Sequence, residues 1–217
     1  EGVKKFTQPD RKGERWLVED SLATGERLAF GLALGLVLGF FIGMLMGCLA
    51  PVEAFLQPPI SLIAKVPQTA ALAVYFVFFG TGMEMYVAMI SLGILPPIAV
   101  SIYLSIKDIP SEMLDKAYTL GASSFEVAVE VVFKQVLPKF IDTVRLCIGP
   151  AIVFLIAAEM LAQNPGLGKF VWDMFQNGSS QTLAQIMVAV FTIGLIGFAL
   201  DRLMLTLQGF VSFGNVQ

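Results

Sequence analysis

Residues 111–138 read SEMLDKAYTLGASSFEVAVEVVFKQVLP, a polar-bearing segment set between two strongly apolar runs. Met113, Ala117 and Leu120 recur at helical spacing on one face, while Glu112, Asp115, Lys116 and Thr119 lie largely off it. Gly121 follows, a residue suited to the left-handed conformation that ends a helix. Ser123 then opens a capping box. Its hydroxyl is placed to accept from the Glu126 amide, and the Glu126 carboxylate to reach back to the Ser123 amide. Pro138 marks the approach to the next apolar run. The segment predicts two short helices meeting at a glycine, a bent hairpin on one side of an apolar body.

Composition says what that body is. Hydrophobic residues make up 56% of the 217 and charged residues only 14%, with a mean hydropathy of +0.78. Soluble domains carry about 25% charged residues. The fold class is therefore an all-α integral membrane protein in contact with lipid. A net charge of −3 predicts no nucleic-acid partner. Histidine is absent, which removes the commonest general base and metal ligand, so no catalytic and no metal site is expected. Cys48 and Cys147 lie inside apolar runs and read as small core residues.

Five spans are expected, at about 28–50, 62–79, 83–104, 140–162 and 183–210. An uncharged run such as 28–50 is long enough to cross about 30 Å of hydrocarbon. Within it, Gly31, Gly35, Gly39, Gly43 and Gly47 recur every fourth residue, a small-residue seam for close helix packing. Residues 1–24 form a polar leader with one interfacial turn around Trp16, either membrane-associated or simply solvated. Its start, without Met, reads as processed, truncated or unresolved. Residues 51–67 hold Pro51, Pro58, Pro59 and Pro67 and read as irregular. Lys65 reads as a headgroup-level anchor. Gly80-Thr81-Gly82 is a tight turn, and Pro96-Pro97 predicts a kink in the third span. Arg145 sits near a span end and can snorkel to the interface. Residues 164–180 form a loop in which Phe170, Val171, Met174 and Phe175 can build one re-entrant or interfacial helix. Residues 108–138 are the connecting loop and 211–217 a tail. The odd span count puts the two ends on opposite sides. Counting Lys and Arg places the hairpin in the cytoplasm only if the basic leader is discounted.

The hairpin resembles the cytoplasmic "EAA" loop of permease subunits of bacterial ABC importers. Asp115-Lys116-Ala117 stands at the acidic-Ala-Ala position, Gly121 at the glycine that follows, and Leu137-Pro138 at a later Leu-Pro. Gly80-Thr81-Gly82 after an aromatic run resembles the WFGxG turn of the nitrate/sulfonate/taurine branch. Ala157-Ala158-Glu159 with Gly166-Leu167-Gly168 resembles that branch's AAE…GLG pattern. Two departures stand out: the motif opens with Asp-Lys rather than Glu-Ala, and Phe133-Lys134 replaces a first Leu-Pro. The second hairpin helix should then run on without the usual kink. Family members also carry a span upstream of a segment like 1–24, which would leave that leader periplasmic.

The resemblance implies a type I ABC importer transmembrane domain, multi-pass in the bacterial inner membrane. It implies a homodimer or pseudo-dimer of permease subunits, two cytoplasmic ATPase subunits and a periplasmic solute-binding protein. ATP and Mg would be bound by the ATPase partner, and no cofactor by this chain. Gly166-Leu167-Gly168-Lys169 fails the phosphate-loop pattern, since Gln163 stands at the first glycine and Phe170 at the Ser/Thr. Asp115, Ala117, Gly121, Ala122 and Ser123 would form the docking elbow for the ATPase. Glu159, with Gly166 and Gly168, has two readings. One is a polar group at the translocation path or its outer gate. The other is a helix-end carboxylate held by Arg145 of a neighbour or by loop amides. An ion-coupled secondary transporter is the competing class. It would show an inverted repeat and buried mid-membrane carboxylates. An intramembrane enzyme is disfavoured because the spans hold no paired acids and no histidine.

Overall fold

The computed structural model describes residues 16–178 and 180–213, all helix and connecting turn. Eight helices follow one another: α1 Trp16–Cys48, α2 Ala50–Ile63, α3 Leu72–Phe79, α4 Met83–Lys107, α5 Ser111–Thr119, α6 Ser124–Ala162, α7 Leu167–Asn177 and α8 Ser180–Phe213. Four of these, α1, α4, α6 and α8, are long and apolar enough to cross a membrane.

The expected span at 62–79 is not one continuous helix: α2 ends at Ile63, residues 64–71 leave the helix, and α3 adds eight residues. Pro67 explains the break: it lacks an amide proton and biases Val66 away from helical backbone. The expected irregularity at 51–67 is corrected as well. Pro51 falls in the first turn of α2, where the missing donor costs nothing, and Pro58 and Pro59 lie inside the helix without ending it. Pro96 and Pro97 likewise lie within α4. The described chain is already helical at Trp16, ahead of the apolar run; residues 1–15 and the final four lie outside the described residues.

By its internal contacts the chain divides into two compact units. One comprises the described residues up to Leu34, Pro67–Leu92 and Ile148–Leu200; the other comprises Gly35–Val66, Gly93–Cys147 and the described residues from Asp201.

In the first unit, Gly31 of α1 faces Ile90 of α4 so closely that an added Cβ would lie 2.6 Å from the Ile90 Cβ. Phe170 of α7 packs with Ala189 of α8, and Val171, Met174 and Leu17 close around them. Phe175 of the same helix is exposed.

In the second unit, the glycines of α1 step along α4. A Cβ on Gly39 would meet Ile98, one on Gly43 the Ala99 carbonyl at 2.7 Å and Ile102 at 2.8 Å, and one on Gly47 the Ile106 side chain. Each step of four residues on α1 matches four on α4 in the same direction, so the two helices run parallel at contact distance. Met46, Ile60 and Ala99 form a core beneath, with Ile42, Val52, Leu56 and Tyr103 packed on it. Gly35 is buried as well. Arg145 pairs with Asp201 of α8 at 2.8 Å rather than reaching out alone.

Candidate functional site

Two assemblies concentrate the polar chemistry, one in each unit. The first is the hairpin. Helix α5 ends at Thr119 in a complete Schellman motif. The Gly121 amide donates to the Tyr118 carbonyl at 3.0 Å, and the Ala122 amide to the Ala117 carbonyl at 3.1 Å. Gly121 has φ +87°, the left-handed conformation that this motif needs and that a side chain disfavours. The Thr119 hydroxyl donates to the Asp115 carbonyl. Ser123 then begins the next helix with both halves of a capping box. Its amide donates to Glu126 Oε2 at 2.7 Å, and the Glu126 amide to its Oγ at 3.3 Å.

Asp115, Ala117, Gly121, Ala122 and Ser123 are thus brought together as one turn. Asp115, Gly121 and Ser123 are exposed; Ala117 and Ala122 are half-buried. Leu120 at the tip is 89% exposed and Phe125 77% exposed. Leu120 borders a cavity of about 420 Å³ also lined by Ala117, Gly121, Ala122 and Val127 among others.

Beyond the cap, residues Val127–Phe133 wind as a π-helix before α-helical geometry resumes at Lys134. The helix continues through Phe133-Lys134 without a break, and Lys134 pairs with Glu130 across the junction.

The second assembly surrounds Glu159, near the end of α6. Its side chain is fully buried, yet both oxygens are satisfied. Oε1 accepts from Arg27 Nη1 at 2.6 Å, and Oε2 accepts from the Gly168 amide at 2.9 Å. The Thr24 hydroxyl lies 3.0 Å from each oxygen. Thr24 Oγ1 in turn accepts from the Leu167 amide at 3.0 Å. Arg27 also donates to the Pro165 carbonyl at 2.8 Å, and its guanidinium lies 4.4 Å over the Tyr86 ring. Asn164 donates to the Tyr86 hydroxyl at 3.2 Å and to the Thr81 carbonyl.

One carboxylate thereby ties α1, α6 and the start of α7, and the adjoining turns are drawn in through Arg27. Gly166 and Gly168 are required by the packing. A Cβ on Gly166 would fall 2.5 Å from the Glu159 carboxyl carbon, and one on Gly168 would fall 2.6 Å from the Ile156 carbonyl oxygen. An adjoining cavity of about 390 Å³ is lined by Glu19, Asp20, Pro165, Lys169 and Asp173 among others.

Of the two sequence readings of Glu159, the loop amide is present as Gly168, but the cation is Arg27 and not Arg145. Arg145 lies almost four turns earlier on the same helix, about 20 Å away along the axis. Sequence reasoning named neither Arg27 nor Thr24 for this site. Their signal was spacing: Thr24 and Arg27 are three apart on one helix and share a face. Among the described residues no group of three or more Cys, Asp or Glu side chains is set to hold a metal ion.

Residues 35–211 match the family described as "Binding-protein-dependent transport system inner membrane component". The chain belongs to that family. Its relatives include the nitrate import permease protein NrtB of Synechococcus elongatus, 28% identical over 148 residues, which are 68% of this chain and 53% of that protein. The taurine transport system permease protein TauC of Escherichia coli is 29% identical over 157 residues, 72% of this chain and 56% of that protein. The bicarbonate transport system permease protein CmpB of Synechococcus elongatus is 26% identical over 161 residues, 74% of this chain and 57% of that protein. The permease-family chain thus spans about half the length of these curated relatives. Among solved structures, an inward-facing form of the MetNI methionine ABC transporter superposes with TM-score 0.69 at 18% identity, covering 88% of this chain and 95% of that one. The fold is that of a type I ABC importer transmembrane domain.

Proposed function

We propose that this chain is the pore-forming permease subunit of an ATP-driven importer in a bacterial inner membrane. It works as one of a pair with two ATPase subunits on the hairpin side. A solute-binding protein on the opposite side delivers a small organic or oxo anion, of the class of a sulfonate, nitrate or bicarbonate. The names of the relatives support that substrate class.

The observation that carries the reading is the hairpin itself. A Schellman turn abuts a capping box, so the elbow is rigid without help from packing. Its tip offers Leu120 and Phe125 to a partner, and its two ends continue into α4 and α6. A rigid knob joined to two spans carries an ATPase's motion into the membrane. Glu159 contributes to transport indirectly in this reading: it holds α7 against α1 and α6 at the entrance end of the path, and Gly166 and Gly168 give it room.

The test is uptake by the complex of permease, ATPase and binding protein in proteoliposomes, with nitrate, taurine and bicarbonate offered in turn. Gly121→Leu puts a side chain at φ +87° and adds bulk to the elbow. ATP-driven uptake should be lost while the chain still inserts. Undiminished uptake in that variant refutes the role of the elbow.

A further inference from the structure

Glu53 lies in the first turn of α2, and its carboxylate is divided between two residues of α4. Oε1 accepts from the Tyr103 hydroxyl at 2.6 Å, and Oε2 accepts from Lys107 Nζ at 2.8 Å. Tyr103 and Lys107 are one turn apart and present one face, and the Lys107 ammonium lies 5.7 Å from the Tyr103 ring centroid. The first turn of α2 also favours an acid through the helix dipole. This is tighter than an ordinary surface pair, because each oxygen has its own donor and the donors are fixed on successive turns. Beneath it, Val52, Leu56 and Tyr103 pack on the Met46–Ile60–Ala99 core. Hence α2 and the end of α4 are joined by apolar contact and by a clasp at the rim.

Position gives the clasp its meaning. Lys107 is the last residue of α4, and α5 starts at Ser111. The joint between them is stiff. The Asp108 amide donates to the Leu104 carbonyl at 3.0 Å, the Ile109 amide to Ile106 at 3.2 Å, and the Met113 amide to Pro110 at 3.0 Å. Ile109 is buried. A displacement of α5 therefore reaches the last turn of α4 with little slack, and there the two donors of Glu53 sit.

We propose that Glu53 is a positioning residue for transport: it passes movement of the α5 elbow from Tyr103 and Lys107 into α2. The inference rests on the importer reading above. The effect of the clasp is on how much of the elbow's displacement is shared by α2, and so on how many ATP molecules are hydrolysed per solute moved.

The experiment measures uptake and ATP hydrolysis together in proteoliposomes holding permease, ATPase and binding protein. Four permease variants are compared with the wild type: Glu53→Gln, Lys107→Met, Lys107→Arg, and the exchange Glu53→Lys with Lys107→Glu. Glu53→Gln and Lys107→Met should raise the ATP-to-solute ratio at least about fivefold, the lower end of ordinary coupling between sites, with the assembled complex recovered in normal amount. Lys107→Arg keeps the charge and should hold the wild-type ratio. The exchange should restore the ratio that each single change loses, which a fault of folding would not do. An unaltered ratio in Glu53→Gln, or a ratio in the exchange no better than in the singles, overturns the clasp. A wild-type complex that moves none of the offered anions with ATP overturns the importer reading, and the clasp with it.

Discussion

The Gly168→Ala substitution puts the Glu159 assembly under the sharpest test. One methyl group is added, at a position where its nearest neighbours are the Ile156 carbonyl oxygen at 2.6 Å and the Glu159 Cβ at 2.8 Å. The first is helix backbone and cannot turn aside. Helix α7 must retreat, and the Gly168 amide then leaves the Glu159 carboxylate that it now meets at 2.9 Å. Overpacking of this kind costs about 1–3 kcal/mol, and losing a hydrogen bond to a buried charged group about 1.5–3 kcal/mol. The sum is roughly 2.5–6 kcal/mol. Gly194→Ala is the matched control. Gly194 lies within α8, has open space where a Cβ would go, and is exposed. There, alanine should stabilise by about 0.5–1 kcal/mol through helix propensity. Both variants are purified in detergent and unfolded by heat under identical conditions, followed by intrinsic fluorescence. Gly168→Ala should melt well below the wild type and Gly194→Ala at or slightly above it. Coincident curves for the two would refute the view that the glycine is required by the carboxylate.

Three further outcomes are expected. Arg27→Met leaves the Glu159 charge buried beside Thr24 and one amide. It should destabilise by about 3–5 kcal/mol in the same melt, whereas Arg145→Met, which breaks a half-exposed pair with Asp201, should cost much less. Gly43→Leu drives a side chain into the Ala99 carbonyl and Ile102. It should separate α1 from α4, seen as loss of a disulfide engineered between the two helices. Hydrogen bonds from Lys107 and Tyr103 hold the Glu53 carboxyl below the usual carboxylate range. Its contribution to stability is therefore full at neutral pH and is lost only as pH falls through that lowered value. The stability gap between wild type and Glu53→Gln should be constant near neutrality and close on acidification below the ordinary glutamate range; a gap that closes between pH 6 and pH 8 would contradict the assignment.

The elbow was legible in the sequence because its hydrogen bonds are local. Gly121 and Ala122 reach back three and five residues, and Ser123 reaches forward three. Side-chain type and spacing suffice for such contacts. The glycine repeat of α1 was legible as a contact face for the same reason, since period four on a helix is a surface. The partner of that face was not legible, and neither was the counter-ion of Glu159, which is 132 residues away in the chain. A carboxylate inside an apolar run announces that it needs donors but does not say which span will bring them. The sequence pointed to Arg145 or loop amides, and Arg27 emerged only with the helices in place.

By itself, then, the sequence determined where the chain is helical and apolar, where it turns, and the family-like pattern of elbow and glycines. The break at 64–71 was only half written there. Pro67 stands in the break, but four neighbouring prolines look alike in sequence, and Pro51, Pro58 and Pro59 were accommodated inside α2. What only the tertiary structure decided is which helix ends meet: Glu159 with Thr24 and Arg27, and Glu53 with Tyr103 and Lys107. The physical reason is range. Turns and caps are set by backbone geometry within five or six residues, whereas a buried charge is satisfied by whatever donor the packing of apolar faces carries to it.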